Sequence, residues 1–164
     1  MPEAPGGAPP VPATQRPVVA MGFDYGLRRI GVAAGDTLTR GARPVGFVPA
    51  SGGNPDWPAL MRLVTDWDPA VLVVGVPYNM DGTPGPLTPA ALDFAAELER
   101  RFRRPVVGVD ERLSSREAED QLRRQRASGE RTRRVRHGDV DAAAACVLLE
   151  QWLRDERSIE PRNE

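Results

Sequence analysis

The pattern of apolar and polar positions predicts that the folded part of the chain begins with three neighbouring strands. These apolar or alternating runs are residues 18–25, 29–34 and 44–49. Gly26–Arg28 is predicted to form the turn between the first two strands. In the second strand, Ile30, Val32 and Ala34 lie on one side of the sheet, since side chains alternate along a strand. Strands this close in sequence favour an antiparallel meander.

Helical and strand patterns alternate after this meander. The predicted helices are residues 55–67, 89–102, 114–126 and 140–153, and the further strands are residues 71–76 and 106–109. Val71–Val76 is continuously apolar and rich in β-branched residues, which is typical of a strand buried on both faces. The order therefore predicts a three-layer α/β domain, with a five-stranded mixed sheet flanked by helices.

Capping residues and helical spacing predict how two of the helices begin and pack. Asn54 is the predicted N-cap of the first helix, with Pro55 at its first position. Thr88 is the predicted cap of the second helix. Its inner face is expected to carry Leu92, Ala95, Ala96, Leu98 and Phe102.

The two ends of the chain differ in composition from the predicted domain. Residues 1–17 are rich in Pro, Ala and Gly and have no periodicity, so a disordered extension is predicted. Residues 155–164 are polar and are expected to form a flexible tail. A single folded domain is therefore predicted over residues 18–154.

Composition excludes several classes of protein. No apolar run approaches the roughly 20 residues that span a bilayer, and no basic segment followed by an apolar one marks a secretory signal. A cytoplasmic location without a membrane partner is the resulting prediction. Cys146 is the only cysteine, which rules out an internal disulfide and a cysteine-rich metal site. It is expected to pack as a small hydrophobic residue in an Ala-rich helix.

Charge is distributed unevenly, although the formal net charge is only −1. All 22 basic side chains are Arg, a bias that a high-GC genome would also produce. The segment from residue 123 to residue 137 contains seven Arg and a single acid, Glu130. A cationic segment of this kind could follow a nucleic-acid backbone. The simpler interpretation of a charge run is a solvated surface.

Three acidic residues stand at the ends of predicted elements. Asp24 ends the first strand, Glu111 follows the last strand, and Asp141 lies in the first turn of the last helix. Carboxylates that converge at strand ends suit Mg²⁺ and Mn²⁺, which prefer oxygen ligands. Two such ions can hold the attacking and leaving oxygens of a phosphate ester. The simpler alternatives are a turn stabilised by Asp24 and helix dipoles compensated by the other two acids.

Two of these acids have acidic neighbours, and geometry separates the members of each pair. Asp110 and Glu111 are adjacent, so in an extended chain they point to opposite sides and only one is expected to face a metal. Asp139 and Asp141 are about 200° apart on a helix and cannot share a face. Asp139 suits the N-cap position or the residue before it. Asp81, followed by Gly82, predicts a turn for which no function is required.

Four segments, in order, resemble the motifs of the YqgF family, which is also called RuvX. They are residues 22–33 (GFDYGLRRIGVA), 73–83 (VVGVPYNMDGT), 109–115 (VDERLSS) and 141–145 (DAAAA). The resemblance runs from about residue 18 to residue 154. Arg28 stands where the family usually has Lys, and Ser114 and Ser115 replace a more common Thr pair. No departure removes an acidic position.

This resemblance implies an RNase H-like fold and a metal-dependent endonuclease acting on structured nucleic acid. Asp24, Glu111 and Asp141 would be the catalytic residues and would bind one or two Mg²⁺ or Mn²⁺ ions. The implied role is pre-16S rRNA 5′-end processing, with cleavage of four-way DNA junctions, for which a homodimer is expected, as the alternative. The expected contacts to nucleic acid come from Arg28, Arg29, Arg112, Arg131, Arg133, Arg134 and Arg136.

Two other function classes remain open at this point. The hairpin at Asp24–Gly26 also resembles the phosphate-binding hairpin of the actin and sugar-kinase fold. That fold needs two such domains, and the chain has one domain and no Walker-type glycine–lysine loop. A catalytically silent nucleic-acid-binding protein is the other class. Loss of one acid would favour it, and all three acids are present.

Overall fold

The computed structural model describes residues 17–111 and 137–155, which form a six-stranded mixed sheet with helices on both faces. The strands are β1 (Val19–Asp24), β2 (Arg29–Asp36), β3 (Ala42–Ser51), β4 (Asn54–Pro55), β5 (Val71–Val76) and β6 (Val106–Asp110). The helices are α1 (Trp57–Trp67), α2 (Thr88–Phe102) and α3 (His137–Arg154). The strand order across the sheet is β4-β3-β2-β1-β5-β6.

The pairing of the strands confirms the predicted meander followed by parallel strands. β1 pairs antiparallel with β2, and β2 with β3. β1 pairs parallel with β5, and β5 with β6. The carboxyl ends of β1, β5 and β6 therefore meet the start of β2 at one edge. The predicted count of five strands was one too low, because the two-residue β4 is too short to produce a recognisable pattern.

Large apolar side chains fill the layer between the sheet and helices α1 and α2. Phe23 and Ile30 from the sheet are fully buried, as is Leu60 from α1. Phe94 of α2 packs edge-on against Phe23, with ring centroids 6.0 Å apart. The same core cluster contains Met21, Tyr25, Val32, Ala34, Val48, Val64, Leu72, Val74, Ala91 and Leu98. This confirms the predicted side of the sheet for the apolar residues of β2.

Helix α3 packs on the opposite face, where the strands carry small residues. A Cβ placed on Gly22 of β1 would lie 2.9 Å from the Cβ of Leu149 and 3.1 Å from the Ala145 carbonyl oxygen. The helix backbone therefore lies close to the sheet. Cys146 of α3 packs against the buried apolar residues between this helix and the sheet. Burial, reinforced by Glu150, raises the pKa of its thiol to about 12. This supports the prediction of a small hydrophobic residue.

The predicted start of α1 was wrong. Asn54 and Pro55 form β4, and Asp56 is the N-cap. The Asp56 carboxylate accepts a hydrogen bond from the Ala59 backbone N–H at 3.2 Å. Both the N-cap interaction and the early proline that were predicted are present, but the cap is Asp56, two residues later than expected, and the proline is Pro58, three residues later.

The predictions for α2 need two corrections. Thr88 is the first residue of the helix and not its cap; its hydroxyl donates to the Pro77 carbonyl oxygen and accepts from the Gly85 N–H at 2.7 Å. Leu92 and Ala96 are exposed, whereas the buried positions are Thr88, Ala91, Phe94 and Leu98. Leu98 is buried as predicted, and Ala95 and Phe102 pack against the core, so the prediction was wrong only for Leu92 and Ala96.

Helix α3 begins at His137, three residues before the predicted start at Val140. Asp139 therefore lies inside the helix and not at its N-cap, and Asp141 lies in the second turn. The predicted helix over 114–126 and most of the two predicted terminal segments, residues 1–16 and 156–164, lie outside the described residues. None of the helices in the described ranges is long and apolar enough to cross a membrane.

Candidate active site

Asp24 occupies the centre of the sheet edge at which the parallel strands end. It is the last residue of β1 and follows Phe23, which is buried against α1 and α2. Because side chains alternate along a strand, the Asp24 side chain lies on the α3 face. Asp24 is paired with Gly31 of β2 on one side and with Gly75 of β5 on the other.

These two glycines leave the room that two other acids occupy. A Cβ on Gly31 would overlap the backbone carbonyl oxygen of Asp141 on α3. A Cβ on Gly75 would lie 2.8 Å from the Glu111 Oε2 atom. Asp24 thus has Gly31, which lies against Asp141, on one side and Gly75, which lies against Glu111, on the other. This arrangement brings together three acids that are far apart in sequence.

The carboxyl groups of Asp24 and Glu111 are hydrogen-bonded to each other. Burial, the hydrogen bond to Glu111 and the negative charges of Glu111 and Asp141 raise the pKa of Asp24 well above its ordinary value. Burial also raises the pKa of Glu111, against the effect of the Asp24 hydrogen bond and with a contribution from Asp110. Burial and the neighbouring negative charges therefore oppose ionisation of these two carboxyl groups.

The chain geometry after β6 separates the adjacent acids Asp110 and Glu111. The Glu111 N–H donates to the Val76 carbonyl oxygen at 3.2 Å, which continues the β5–β6 pairing by one residue. Asp110 is exposed, whereas Glu111 is partly buried and reaches Asp24. This is the arrangement expected for neighbours on an extended chain.

Asp141 forms an ion pair with Arg29, the first residue of β2. The Arg29 Nε donates to the Asp141 Oδ2 at 2.8 Å, and the two side chains are 31% and 24% exposed. Arg29 lies two residues before Gly31, which allows the close approach of α3. The ion pair and the glycine therefore hold the same part of α3 on β2.

The donor set matches the chemistry of Mg²⁺ and Mn²⁺. All three acids supply carboxylate oxygens, and the negative charges of Glu111 and Asp141 contribute to the raised pKa of Asp24. Within the described ranges, no three His, Cys, Asp or Glu side chains already form a metal-binding group. Asp141 directs one carboxylate oxygen, Oδ2, to the Arg29 guanidinium.

The basic residues predicted to contact nucleic acid fall into two groups. Arg28 is exposed in the β1–β2 turn, where its carbonyl oxygen accepts from the Ala50 N–H at 2.8 Å. Arg29 is partly buried against Asp141. The remaining predicted contacts lie outside the described residues; they are Arg112, Arg131, Arg133, Arg134 and Arg136.

The loop between β5 and α2 is organised by its own polar side chains. Asp81 Oδ1 accepts from the Thr83 N–H at 2.9 Å and from the Thr83 hydroxyl at 2.6 Å. The Asn79 amide donates to Thr83 Oγ1 at 3.0 Å and to the Pro84 carbonyl oxygen at 3.1 Å. These contacts agree with the prediction that Asp81 forms a turn.

Sequence reasoning missed the two glycines beside Asp24 and the partner of Arg29. Gly31 and Gly75 were present in the motif segments, but their role depends on strand register. The signal that could have found them is their position in the alternating pattern of each strand. Gly31 alternates with Ile30 and Val32, and Gly75 alternates with Val74 and Val76, so each glycine lies on the face opposite the large side chains.

Comparison with known proteins gives a family and close relatives. The family model described as "RuvX: Holliday junction resolvase" matches residues 18–155. A Coxiella burnetii (strain Dugway 5J108-111) protein named "Putative pre-16S rRNA nuclease" is 45% identical over 141 residues, covering 86% of this chain and 96% of the relative. A protein of the same name from Legionella pneumophila (strain Paris) is 44% identical over 136 residues, covering 83% and 95%.

Solved structures with the same fold are more distant in sequence. T. thermophilus RuvC in complex with a Holliday junction substrate aligns with a TM-score of 0.51 at 16% identity, covering 79% of this chain and 91% of that chain. The Fowlpox virus resolvase, in a complex with Holliday junction DNA, aligns with a TM-score of 0.52 at 10% identity, covering 82% and 96%. These similarities confirm the predicted RNase H-like fold, and the family model with its close relatives establishes that the chain belongs to the RuvX family.

Proposed function

We propose that this chain is a divalent-metal-dependent endonuclease that processes the 5′ end of pre-16S rRNA. The observation that carries the proposal is the convergence of Asp24, Glu111 and Asp141 around two glycines at one edge of the sheet. The names of the 43–45% identical relatives support the choice of an RNA substrate.

The three carboxylates would hold one or two Mg²⁺ or Mn²⁺ ions. When bound, such ions lower the pKa of water and stabilise charge on the leaving oxygen of a phosphate ester. The positive charge of a bound ion would favour the ionised forms of Asp24 and Glu111. Asp141 would turn from Arg29 toward the other two acids. The backbone of β1, β6 and α3 would keep the three groups close together.

Arginine side chains near this edge would bind the substrate backbone. Arg28 is exposed and one residue from Arg29, at the turn that borders Asp24. Guanidinium groups bind phosphate oxygens in a bidentate manner and stay charged at all physiological pH values. These residues would place the scissile phosphate beside the acids.

A four-way DNA junction is the second candidate substrate, and the description of the matching family model favours it. Paired cuts in a junction would need two copies of the chain related by a twofold axis. An rRNA precursor needs a single site for each cut. The two roles therefore differ in substrate geometry and in the number of active chains.

A cleavage assay separates these possibilities. The purified protein is incubated with Mn²⁺ or Mg²⁺ and either a labelled pre-16S rRNA fragment or a labelled four-way junction. Asp24→Asn should reduce cleavage by at least about 100-fold, since even the partners of metal ligands contribute about 10–100-fold. Preference for the RNA supports the proposal, and preference for the junction supports the alternative. Binding without metal-dependent cleavage would contradict both and favour a silent nucleic-acid-binding protein.

A further inference from the structure

Arg29 forms an ion pair with one of the three acids, Asp141. The pair joins residues 112 positions apart and links the start of β2 to the second turn of α3. Its position is fixed on both sides. Arg29 is anchored in the β2–β3 pairing opposite Pro49, and Asp141 lies directly above Gly31.

The charge balance at this edge explains what the pair contributes. Asp141 is close enough to act electrostatically on Asp24, and its charge is offset by the Arg29 guanidinium. In the metal-free protein, the Arg29 guanidinium is therefore a positive counter-charge to Asp141 at this edge.

We infer that Arg29 is a positioning residue that acts as a displaceable counter-ion for Asp141, occupying the place in the charge balance that a divalent cation takes when it binds. This inference rests on the proposed function. A cation that binds Asp141 at the Oδ2 lone pair used by Arg29 would displace the 2.8 Å hydrogen bond from Arg29. Arg29 thus orients Asp141 in the metal-free protein and competes with the cation for it. The released guanidinium then lies beside the site, where a substrate phosphate can bind it.

A purely structural role for Arg29 predicts a different result from a role as a displaceable counter-ion. If Arg29 only anchored α3, its removal would disorder Asp141, and cation binding would weaken or stay the same. If Arg29 competes with the cation, removal of its charge strengthens cation binding while the loss of orientation lowers the cleavage rate. The sign of the change in cation affinity therefore distinguishes the two roles.

The test measures Mn²⁺ binding to the full chain by titration calorimetry and by the electron paramagnetic resonance signal of free Mn²⁺, without substrate. Arg29→Gln should lower the Mn²⁺ Kd by roughly fivefold, the scale of a partly exposed ion pair. Arg28→Gln is the matched control, because it removes one positive charge from the adjacent exposed position; its Kd should stay within about twofold. Arg29→Lys keeps the charge and should also stay within about twofold.

A double-mutant cycle with Asp141→Asn identifies the partner. In the Asp141→Asn background, Arg29→Gln should no longer strengthen Mn²⁺ binding, because the carboxylate for which it competes is gone. Circular dichroism and thermal melting of each variant confirm that it is folded. If Arg29→Gln does not fold, a tighter Mn²⁺ Kd in Arg29→Lys would overturn the inference and an unchanged one would support it.

The possible results separate this inference from the proposed function. If the wild type binds Mn²⁺, Asp24→Asn loses binding, and Arg29→Gln leaves the Kd unchanged or raises it, the counter-ion role is wrong and the metal site stands. If the wild type does not bind Mn²⁺, both are wrong. If Arg29→Gln tightens binding equally with and without Asp141, the competition does not involve that carboxylate and the inference is wrong.

Discussion

The two faces of the same sheet are built on opposite principles. Toward α1 and α2, strands β1, β2 and β5 present large side chains such as Phe23, Ile30 and Leu72, all fully buried. Toward α3, β1 and β2 present small residues and one acid, whereas β5 presents two valines and a glycine; these are Ala20, Gly22, Asp24, Gly31 and Ala33, followed by Val71, Val73 and Gly75. The first face keeps its helices at the distance that large side chains require, and the second lets a helix backbone approach the sheet.

This difference separates stability from chemistry. The large-residue face removes apolar surface from water, which is the main source of folding free energy. The small-residue face gives up part of that burial but places the backbone of Asp141 directly on Gly31, beside Asp24. A site built from carboxylates needs such fixed distances, because a displacement of about 1 Å can cost about 100-fold in rate.

Phe23→Ala should have the largest effect on stability and should test the large-residue face. It removes a fully buried ring that packs against Phe94, so we expect a loss of about 3–5 kcal/mol in the free energy of unfolding. Urea unfolding measures this loss. The control is Phe47→Ala, at a β3 position that is 47% exposed, which should change stability by less than about 0.5 kcal/mol. Equal effects of the two substitutions would contradict the comparison of the faces.

Gly31→Ala should damage both stability and cleavage. The new Cβ would overlap the Asp141 carbonyl oxygen, which belongs to a helix backbone and cannot rotate away. We expect a loss of about 1–3 kcal/mol in unfolding free energy and a fall of about 100-fold in cleavage rate. Gly41→Ala is the matched control, because its Cβ would lie 3.6 Å from the Thr39 hydroxyl, an ordinary contact. A fully active Gly31→Ala protein would show that α3 need not lie so close.

Gly75→Ala should affect cleavage more than stability. Its Cβ would lie 2.8 Å from the Glu111 Oε2 and from the Leu148 Cδ2, both ends of side chains that can move. Such a movement costs about 0.5–1.5 kcal/mol. Glu111 would be pushed from Asp24, so we expect roughly a tenfold slower cleavage at limiting Mn²⁺. Thermal melting and initial rates measure the two effects, and a variant with normal rates would place Glu111 outside the chemistry.

Asp24→Asn should give the smallest effect on stability, and a favourable one, when a chelator is present. Because the pKa of Asp24 is raised in the folded state, its contribution to stability is present at low pH and is lost as pH rises through the folded value. An amide can donate to Glu111 at every pH. We therefore expect a gain on the order of 1 kcal/mol near neutral pH, or about 2–4 °C in Tm.

The pH dependence of this gain provides the check. Melting curves of wild type and Asp24→Asn in chelator should converge at acidic pH, where Asp24 is protonated in both the folded and unfolded states. They should diverge as the pH rises. A stability difference that stays constant with pH would show that the gain does not come from the titration of Asp24.

Much of the fold and the candidate acids could be predicted because they depend on local sequence. The alternation in β2 and the continuous apolar run of β5 gave the strands, and both were confirmed. The predictions were wrong where two neighbouring residues fitted the same local pattern equally well. Both Asn54 and Asp56 can cap a helix, and both Leu92 and Ala91 fit a helical repeat. Packing against the sheet chose between them.

The sequence by itself determined which chemical groups the protein has and the order of its strands and helices, because these follow from residue type and short-range periodicity. It also contained the small residues on one face of β1 and β2. Only the tertiary structure decided that Asp24 lies between Gly31 and Gly75, and that Arg29 pairs with Asp141. Both arrangements depend on the strand register and on the position at which α3 packs on the sheet. These are set by contacts between segments far apart in the chain.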